Sequence, residues 1–304
     1  MTIPSNDFTT YEAIGNREDL IDVITNISPT DSWFTSNSGS TKARARYHEW
    51  QTDVLTTPAA NAQIEGNTKT ATAVTPTVRT GNYCQILSKE FMVTETQETV
   101  DKAGRSSEVA YQTTKNMRNL AMDIEYALLI NAAAVSGDSA TARQMCGVLG
   151  WITGNTYTGT ATGANTVLTA AAITSTLALI WADGGKPAHI LCGGWQKQKI
   201  SAMTTSNTKY VDAPTKTVID SVNVYDTDFG RIAIHLSTIM NAAAAGSLVI
   251  LGDMSLWQKA WLRPVRKKEM PIASWSSFYS IEAELTLESR QQNGSGKMSN
   301  LSTS

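Results

Sequence analysis

Apolar residues recur at three- and four-residue steps between Ser106 and Val135. Ala110, Thr113, Met117, Leu120, Ile124, Leu128 and Asn131 share one side of a helix, largely apolar from Met117 to Leu128. Lys115, Arg118, Asn119, Asp123 and Glu125 fall on the opposite, polar side. No Pro or Gly interrupts from Arg105 to Ser136, Ser106, Ser107 and Glu108 form a capping region after Gly104, and Ser136-Gly137 stop the pattern. It predicts one helix of about 30 residues, ~45 Å long, where the mean globular helix has ~11 to 12 residues. Such a helix is a spine on which the rest of the chain is arranged.

Elsewhere the period is two. From Lys42, Ala43, Ala45, Tyr47 and Glu49 alternate with Arg44, Arg46, His48 and Trp50. Thr77 to Thr96 sets Val78, Tyr83, Ile86, Phe91 and Val93 among polar residues. Thr56 to Pro76, between the two, is mostly Thr, Ala and Asn, too poor in large apolar groups to pack a core. Together they predict a thin hairpin of roughly 15 pairs, ~50 Å long, and a two-stranded ribbon of that kind needs a partner surface. Met1 to Gly39 is a polar arm with one helical pattern, Arg17 to Ile27, whose apolar side is Leu20, Ile21, Ile24 and Ile27 and which ends at Ser28-Pro29.

After the spine, Met145 to Thr153 opens an α/β region with Val148, Leu149, Trp151 and Ile152. A Gly/Thr-rich loop runs from Gly154 to Asn165, a helix from Leu168 to Asp183 stops at Gly184-Gly185, a buried strand covers His189 to Cys192 and a helix Gly194 to Met203. Val222 to Tyr225 and Arg231 to Leu236 read as strands around the turn Asp226 to Gly230, followed by a strand over Ser247 to Leu251. Trp257 to Glu288 alternates as strands broken by Pro264 and Pro271. Its last strand points Ile281, Ala283, Leu285 and Leu287 to a core and Glu282, Glu284, Thr286 and Glu288 to water. Gln291 to Ser304 reads as a polar Gly/Ser tail.

Composition narrows the function. A chain of 304 residues can bury a core without disulfides. A net charge of −2 argues against a strongly basic nucleic-acid surface. Cys84, Cys146 and Cys192 are few and far apart, as buried small hydrophobes in a reducing compartment would be. No stretch approaches the ~20 apolar residues of a membrane span, and no leader pattern opens the sequence, so membrane insertion and export are not expected.

Nucleophile elbow, P-loop, dinucleotide fingerprint and zinc pair are all missing from the sequence, so no catalytic, cofactor or metal site is expected. His48, His189 and His235 lie far apart along the chain and read as packed or surface histidines. Gly193-Gly194 before a helix suits either an anion site or, more commonly, a strand-to-helix turn. The run Arg263 to Lys268 suits either phosphate neutralisation or, preferred here, salt bridges to a neighbouring subunit.

Ordered blocks along nearly the whole chain carry a resemblance. They include Phe8-Thr9-Thr10-Tyr11, Gly15 to Leu20, Ile27-Ser28-Pro29-Thr30, His48 to Asp53, Asn61-Ala62 and Ile64-Glu65-Gly66. Gly81-Asn82-Tyr83, Ala103-Gly104-Arg105 with Glu108, Thr227 to Gly230, Leu262-Arg263-Pro264 and Glu284 to Glu288 continue them. Ser32-Trp33-Phe34 and Thr94 to Gln97 depart from the pattern locally. The chain resembles the major head proteins of tailed bacteriophages of the DUF5309, SU10-like group, which have the HK97-type capsid fold.

That resemblance implies an α+β fold divided into an N-terminal arm (1–39), an extended hairpin or E-loop with its base (40–96), a peripheral-domain spine helix (97–140), an axial domain (141–250), peripheral-domain strands (251–290) and a polar C-terminal tail (291–304). It implies a structural subunit without enzyme activity or cofactor, forming pentamers and hexamers of an icosahedral head around double-stranded DNA. Expected partners are further copies of the chain, scaffolding, portal and decoration proteins, and packaged DNA bound on the inner face without sequence preference. The expected location is the virion, after assembly in the host cytoplasm. The alternatives are an encapsulin-like shell around a cargo enzyme and, less favoured, a soluble enzyme. Some shells of this fold crosslink a hairpin lysine to a neighbour's asparagine. Lys69 is in the right region, but nothing marks the other two groups, so no crosslink is expected.

Overall fold

The computed structural model describes residues 32–56, 58–68, 71, 73–159, 166–203, 223–241, 247–272 and 274–303. The arm before Ser32 with its helical pattern, Lys69, the second half of the Gly/Thr-rich loop, Val222 and the first resemblance blocks lie outside these residues.

In chain order the structure begins with a short helix α1 (Trp33–Asn37), then β1 (Gly39–Lys42), β2 (Tyr47–Thr52), β3 (Val78–Tyr83), β4 (Gln85–Thr94), α2 (Glu95–Thr99) and the long helix α3 (Glu108–Ile130). There follow α4 (Val148–Trp151), β5 (Thr156–Thr158), α5 (Ala170–Ala182), β6 (His189–Cys192), α6 (Gly194–Met203), β7 (Val224–Thr227), β8 (Gly230–Leu236), β9 (Val249–Gly252), β10 (Trp257–Met270), β11 (Ser276–Ser289) and β12 (Gly296–Ser299). The strands form a four-stranded sheet ordered β1-β10-β11-β4, a six-stranded sheet ordered β5-β12-β9-β6-β8-β7, and the separate ribbon β2-β3.

The main core is made where α3 lies on the four-stranded sheet. Leu120, Ile124, Ala127, Leu128 and Leu129 bury against Ile281, Ala283, Leu285 and Leu287 of β11, with Phe34 and Trp257 filling the ends. Each such side chain contributes ~1.5 to 3 kcal/mol by leaving water. A second core fills the six-stranded sheet, where α5 inserts Ile173, Leu177 and Ile180 against Ile190, Ile232, Val249, Leu251 and Met298. The two longest helices, α3 and α5, begin with hydroxyl caps. Ser107 Oγ accepts the Ala110 N–H at 3.1 Å, and Thr169 Oγ1 accepts that of Ala172 at 3.2 Å.

Several sequence expectations are corrected here. The spine has 23 residues instead of about 30, ~35 Å at ~1.5 Å each. It stops at Asn131, whose side-chain amide donates to Gln85 Oε1 and the Met145 carbonyl, partners that draw the backbone out of the helix. The buried stripe begins at Leu120, while Met117 and Ala110 are exposed.

The long hairpin is divided by Cys84. β3 stays in the ribbon with β2, but β4 joins the four-stranded sheet against β11, and β1 pairs in parallel with Gln258 to Trp261 of β10. Pro264 does not end a strand. β10 passes through it, with Pro264 inside the register shift between Arg263 and Arg266, since a residue without N–H is tolerated at such irregularities.

The outer face of β11 is also covered. Glu284, Thr286 and Glu288 are buried, with Arg143 reaching Glu284, His48 reaching Glu288 and Asn82 bonded to the backbone carbonyl of Leu287 between them. Residues 291–304, expected as a tail, include β12, which pairs with β5 on one side and β9 on the other. The fit is close enough that a Cβ on Gly296 would lie 2.8 Å from Ile180 Cδ1.

The α3 interface yields a stability test by urea denaturation. Leu120→Asp or Ile124→Asp, each placing a charge in the sealed core, costs several kcal/mol and prevents folding. Asp123→Ala removes only a half-exposed pair with Lys89 at 2.6 Å and shifts stability by less than ~1 kcal/mol.

Candidate functional site

The ribbon pairs six residues, from Tyr47 opposite Tyr83 to Thr52 opposite Val78, which makes it ~20 Å long. Its foot is fixed by Asn82, a fully buried amide. Nδ2 donates to the carbonyls of Cys146 and Leu287, both at 2.9 Å, and Oδ1 accepts the Cys146 N–H. Gly81 beside it leaves room for the Tyr47 ring, 2.7 Å from where a Cβ would sit.

Beyond the ribbon every described residue from Asp53 to Thr77 is exposed, including Val54, Ile64, Val74 and Leu55, which is 95% exposed. The tip is a turn over Ile64 to Asn67, closed by Asn67 N–H to the Ile64 carbonyl at 3.1 Å, with Gly66 at φ +81. Apolar side chains in a projecting segment that buries nothing of its own chain mark a surface for a partner.

The second part of the site is the foot of the N-terminal arm. Glu125, assigned to the polar face of α3 by its charge, is fully buried. Its carboxylate accepts the backbone N–H of Phe34 at 2.8 Å and of Thr35 at 2.7 Å, together with the Thr35 hydroxyl. At the other end of α1, Lys259 Nζ donates to the carbonyls of Thr35 at 2.6 Å and Ser38 at 2.8 Å. Burial pulls the Lys259 ammonium below its ordinary pKa, and the Glu125 carboxylate nearby opposes that shift. One acid and one base thus grip a five-residue helix at its N–H and C=O ends.

Trp33 of α1 stacks on His235 with ring centroids 4.0 Å apart, and His189 Nδ1 lies 3.1 Å from His235 Nε2. The sequence reading left these histidines apart. Parallel pairing of β6 with β8 brings them side by side. His48 lies in the ribbon, 3.1 Å from Glu288.

The third part is a cross-strand ladder of charge. Arg263 Nε reaches Glu284 Oε2 at 2.7 Å, Arg143 Nη2 reaches Glu284 Oε1 at 2.8 Å, and Arg266 Nη2 reaches Glu282 Oε1 at 2.6 Å. Lys267 Nζ sits 4.0 Å over the Tyr279 ring. Arg263 and Arg266, expected to pair with a neighbouring subunit, therefore find their carboxylates within the same chain, because β10 and β11 place them opposite each other.

The remaining sequence candidates take structural places. A Cβ on Gly193 would meet the Met240 carbonyl at 2.8 Å, so close packing at the strand-to-helix turn accounts for the glycine. Burial pushes the Cys84 thiol up to about 11, helped by the Glu284 carboxylate, and the Cys192 thiol up to about 12, which keeps both protonated. Among the described residues no three His, Cys, Asp or Glu side chains are grouped to hold a metal, and no helix is long and apolar enough to cross a membrane.

Two sheets, a spine helix, a projecting ribbon and a gripped arm make the HK97-type capsid fold, and known shells share it. A chain from Microbacterium phage Oxtober96 is similar with a TM-score of 0.67 at 10% identity, over 96% of this chain and 99% of that one. A chain of the holo-SrpI encapsulin complex from Synechococcus elongatus PCC 7942 is similar with a TM-score of 0.61 at 11% identity, over 94% of this chain and 92% of that one. Residues 3–302 match the model of the SU10 major capsid protein family, and the chain belongs to that family. In sequence it is 32% identical over 127 residues to the major capsid protein of Escherichia phage Phieco32. The matched stretch is 41% of this chain and spans about a third, 36%, of that relative's length.

Two outcomes test this geometry. Glu125→Gln leaves the buried α1 amides one charged acceptor short, at a cost of ~1 to 3 kcal/mol. Limited proteolysis should then cut within residues 32–39 faster than in the parent while the α3 core stays protected.

The Arg266 guanidinium holds the Glu282 carboxylate below its ordinary 4.5. That contribution is complete above pH 4.5 and is lost as pH falls through the lowered value. Arg266→Gln should therefore be less stable than the parent near pH 7, and the two unfolding curves should converge in acid.

Proposed function

We propose that this chain is the repeating subunit of a closed protein shell, the head of a tailed bacteriophage, built from pentamers and hexamers around double-stranded DNA. The observation that carries the reading is the projecting segment from Asp53 to Thr77, exposed throughout its described residues, with Val54, Leu55, Ile64 and Val74 left unburied, on a chain of the SU10 major capsid protein family. A segment that stabilises nothing in its own subunit acquires a function when many copies cover one another's.

In this reading residues 1–39 are the arm, with α1 as its fixed end, and β2, β3 and their tip are the E-loop. α3 with β10 and β11 forms the peripheral domain. The six-stranded sheet, with β12 counted in, forms the axial domain. The subunit works without catalysis or cofactor. Its partners are its own copies, scaffolding, portal and decoration proteins, and DNA lying unspecifically on the inner face. It ends in the virion after assembly in the host cytoplasm.

A second reading, an encapsulin-like shell around a cargo enzyme, is favoured only by the likeness to the SrpI encapsulin chain. Negative-stain microscopy of the overexpressed protein separates these readings from a soluble enzyme, which would give small oligomers and no shells. Copurifying nucleic acid supports the head, and a copurifying protein supports the encapsulin.

Replacing Val54 to Thr77 with a short Gly/Ser turn should leave a cooperative thermal transition close to the parent's, since the described residues of this span are all exposed. The same variant should fail to close shells, because one lost contact per copy is multiplied around a closed lattice. Normal shells from it would falsify the assignment of this segment to intersubunit contact.

A further inference from the structure

The projecting segment carries few charges, and beyond Asp53 at its base its one acid stands at the tip. Between Asp53 and Glu90 the only carboxylate is Glu65, next to Ile64, which is exposed, in the turn closed at Asn67. At the foot of the ribbon is a cleft of about 370 Å³ of complementary character, lined by Arg46, Ile86, Asp138, Thr141 and Arg143.

Arg46 is exposed and has no ion-pair partner among the described residues. Arg143 gives Nη2 to Glu284 and keeps further N–H donors at the cleft, while Glu284 is shared with Arg263. Asp138, the one acid of the lining, is turned into its own loop, where Oδ1 accepts the N–H of Ala140 and Thr141, both at 2.7 Å. Ile86, about half exposed, supplies an apolar wall. The cleft therefore offers two guanidiniums beside an aliphatic surface, which matches a carboxylate beside an isoleucine.

We propose that the tip turn Ile64-Glu65-Gly66 of one copy docks in the Arg46–Arg143 cleft of a neighbouring copy. The Glu65 carboxylate lies against the two guanidiniums and Ile64 lies on Ile86. The occupant is a second copy because the ribbon separates the tip from its own foot by six paired residues, ~20 Å. This contact rests on the shell reading and specifies which surfaces meet within it.

The test is charge exchange in the full chain, comparing the parent with Glu65→Lys, Arg46→Glu and the double variant. The readouts are the protein concentration at which shells appear in sedimentation velocity and the thermal midpoint of each subunit. Both sites are exposed, so the thermal midpoints should agree. Each single variant should raise the assembly threshold ~10-fold or more, and the double variant should return it to within ~3-fold of the parent. Unchanged thresholds in both single variants, or a double variant no better than either, overturns the docking and leaves the shell reading intact. A parent that forms no shells at any concentration overturns the shell reading itself, and the docking with it.

Discussion

Everything in this molecule depends on one apolar seam, the face of α3 from Leu120 to Leu129 pressed on Ile281, Ala283, Leu285 and Leu287 of β11. The seam is continuous, and its side chains are closed off from the surface. Phe34 from α1, Met145 and Val148 from the segment after α3, and Leu191 and Ile250 from the six-stranded sheet all reach the same cluster. The two sheets therefore share a core instead of being joined by a linker. The projecting ribbon and the short helix α1 are both rooted on elements that this seam fixes: the ribbon through Asn82 to the Leu287 carbonyl, and α1 through Phe34 and Thr35 to Glu125.

Polar groups refine what the seam begins. Glu125 and Lys259 are costly to bury, and each is retained because a backbone end of α1 needs it. The ladder of Arg143, Arg263, Arg266, Glu282 and Glu284 works differently. Its members are graded from buried to half exposed, so it sets the register of β10 on β11 across the irregularity at Pro264 more than it adds stability.

Periodicity made the seam legible in the sequence. Leu120, Ile124 and Leu128 at helical spacing, and Ile281 to Leu287 at strand spacing, stand where the patterns put them because burial on one face imposes those periods. What the patterns missed was set by long-range pairing. Glu125 carries a charge, so local reasoning puts it in water, and only the arrival of α1 from 90 residues away makes burial tolerable. His189 and His235 meet because β6 and β8 are neighbours, which no local spacing encodes. The break at Cys84 sends β3 to the ribbon and β4 to the sheet, and the buried side passes there from the even-numbered Asn82 and Cys84 to the odd-numbered Leu87, Phe91 and Val93, a switch that depends on which partner each strand meets. The final segment looked like a tail because Gly and Ser outnumber Met298 and Leu301, the two side chains that bury it.

The place of β12 has a consequence for the order in which the molecule is completed. It lies between β5 and β9 in the six-stranded sheet, yet β10 and β11, which belong to the other sheet, intervene in the chain between β9 and β12. The six-stranded sheet thus stays open, with β5 unpaired, until the polypeptide has built the long hairpin elsewhere and returned. Neither sheet is an independent folding unit. Pairings of such long sequence separation slow folding in general, and here β5 has its strand partner only once the last strand of the chain is in place.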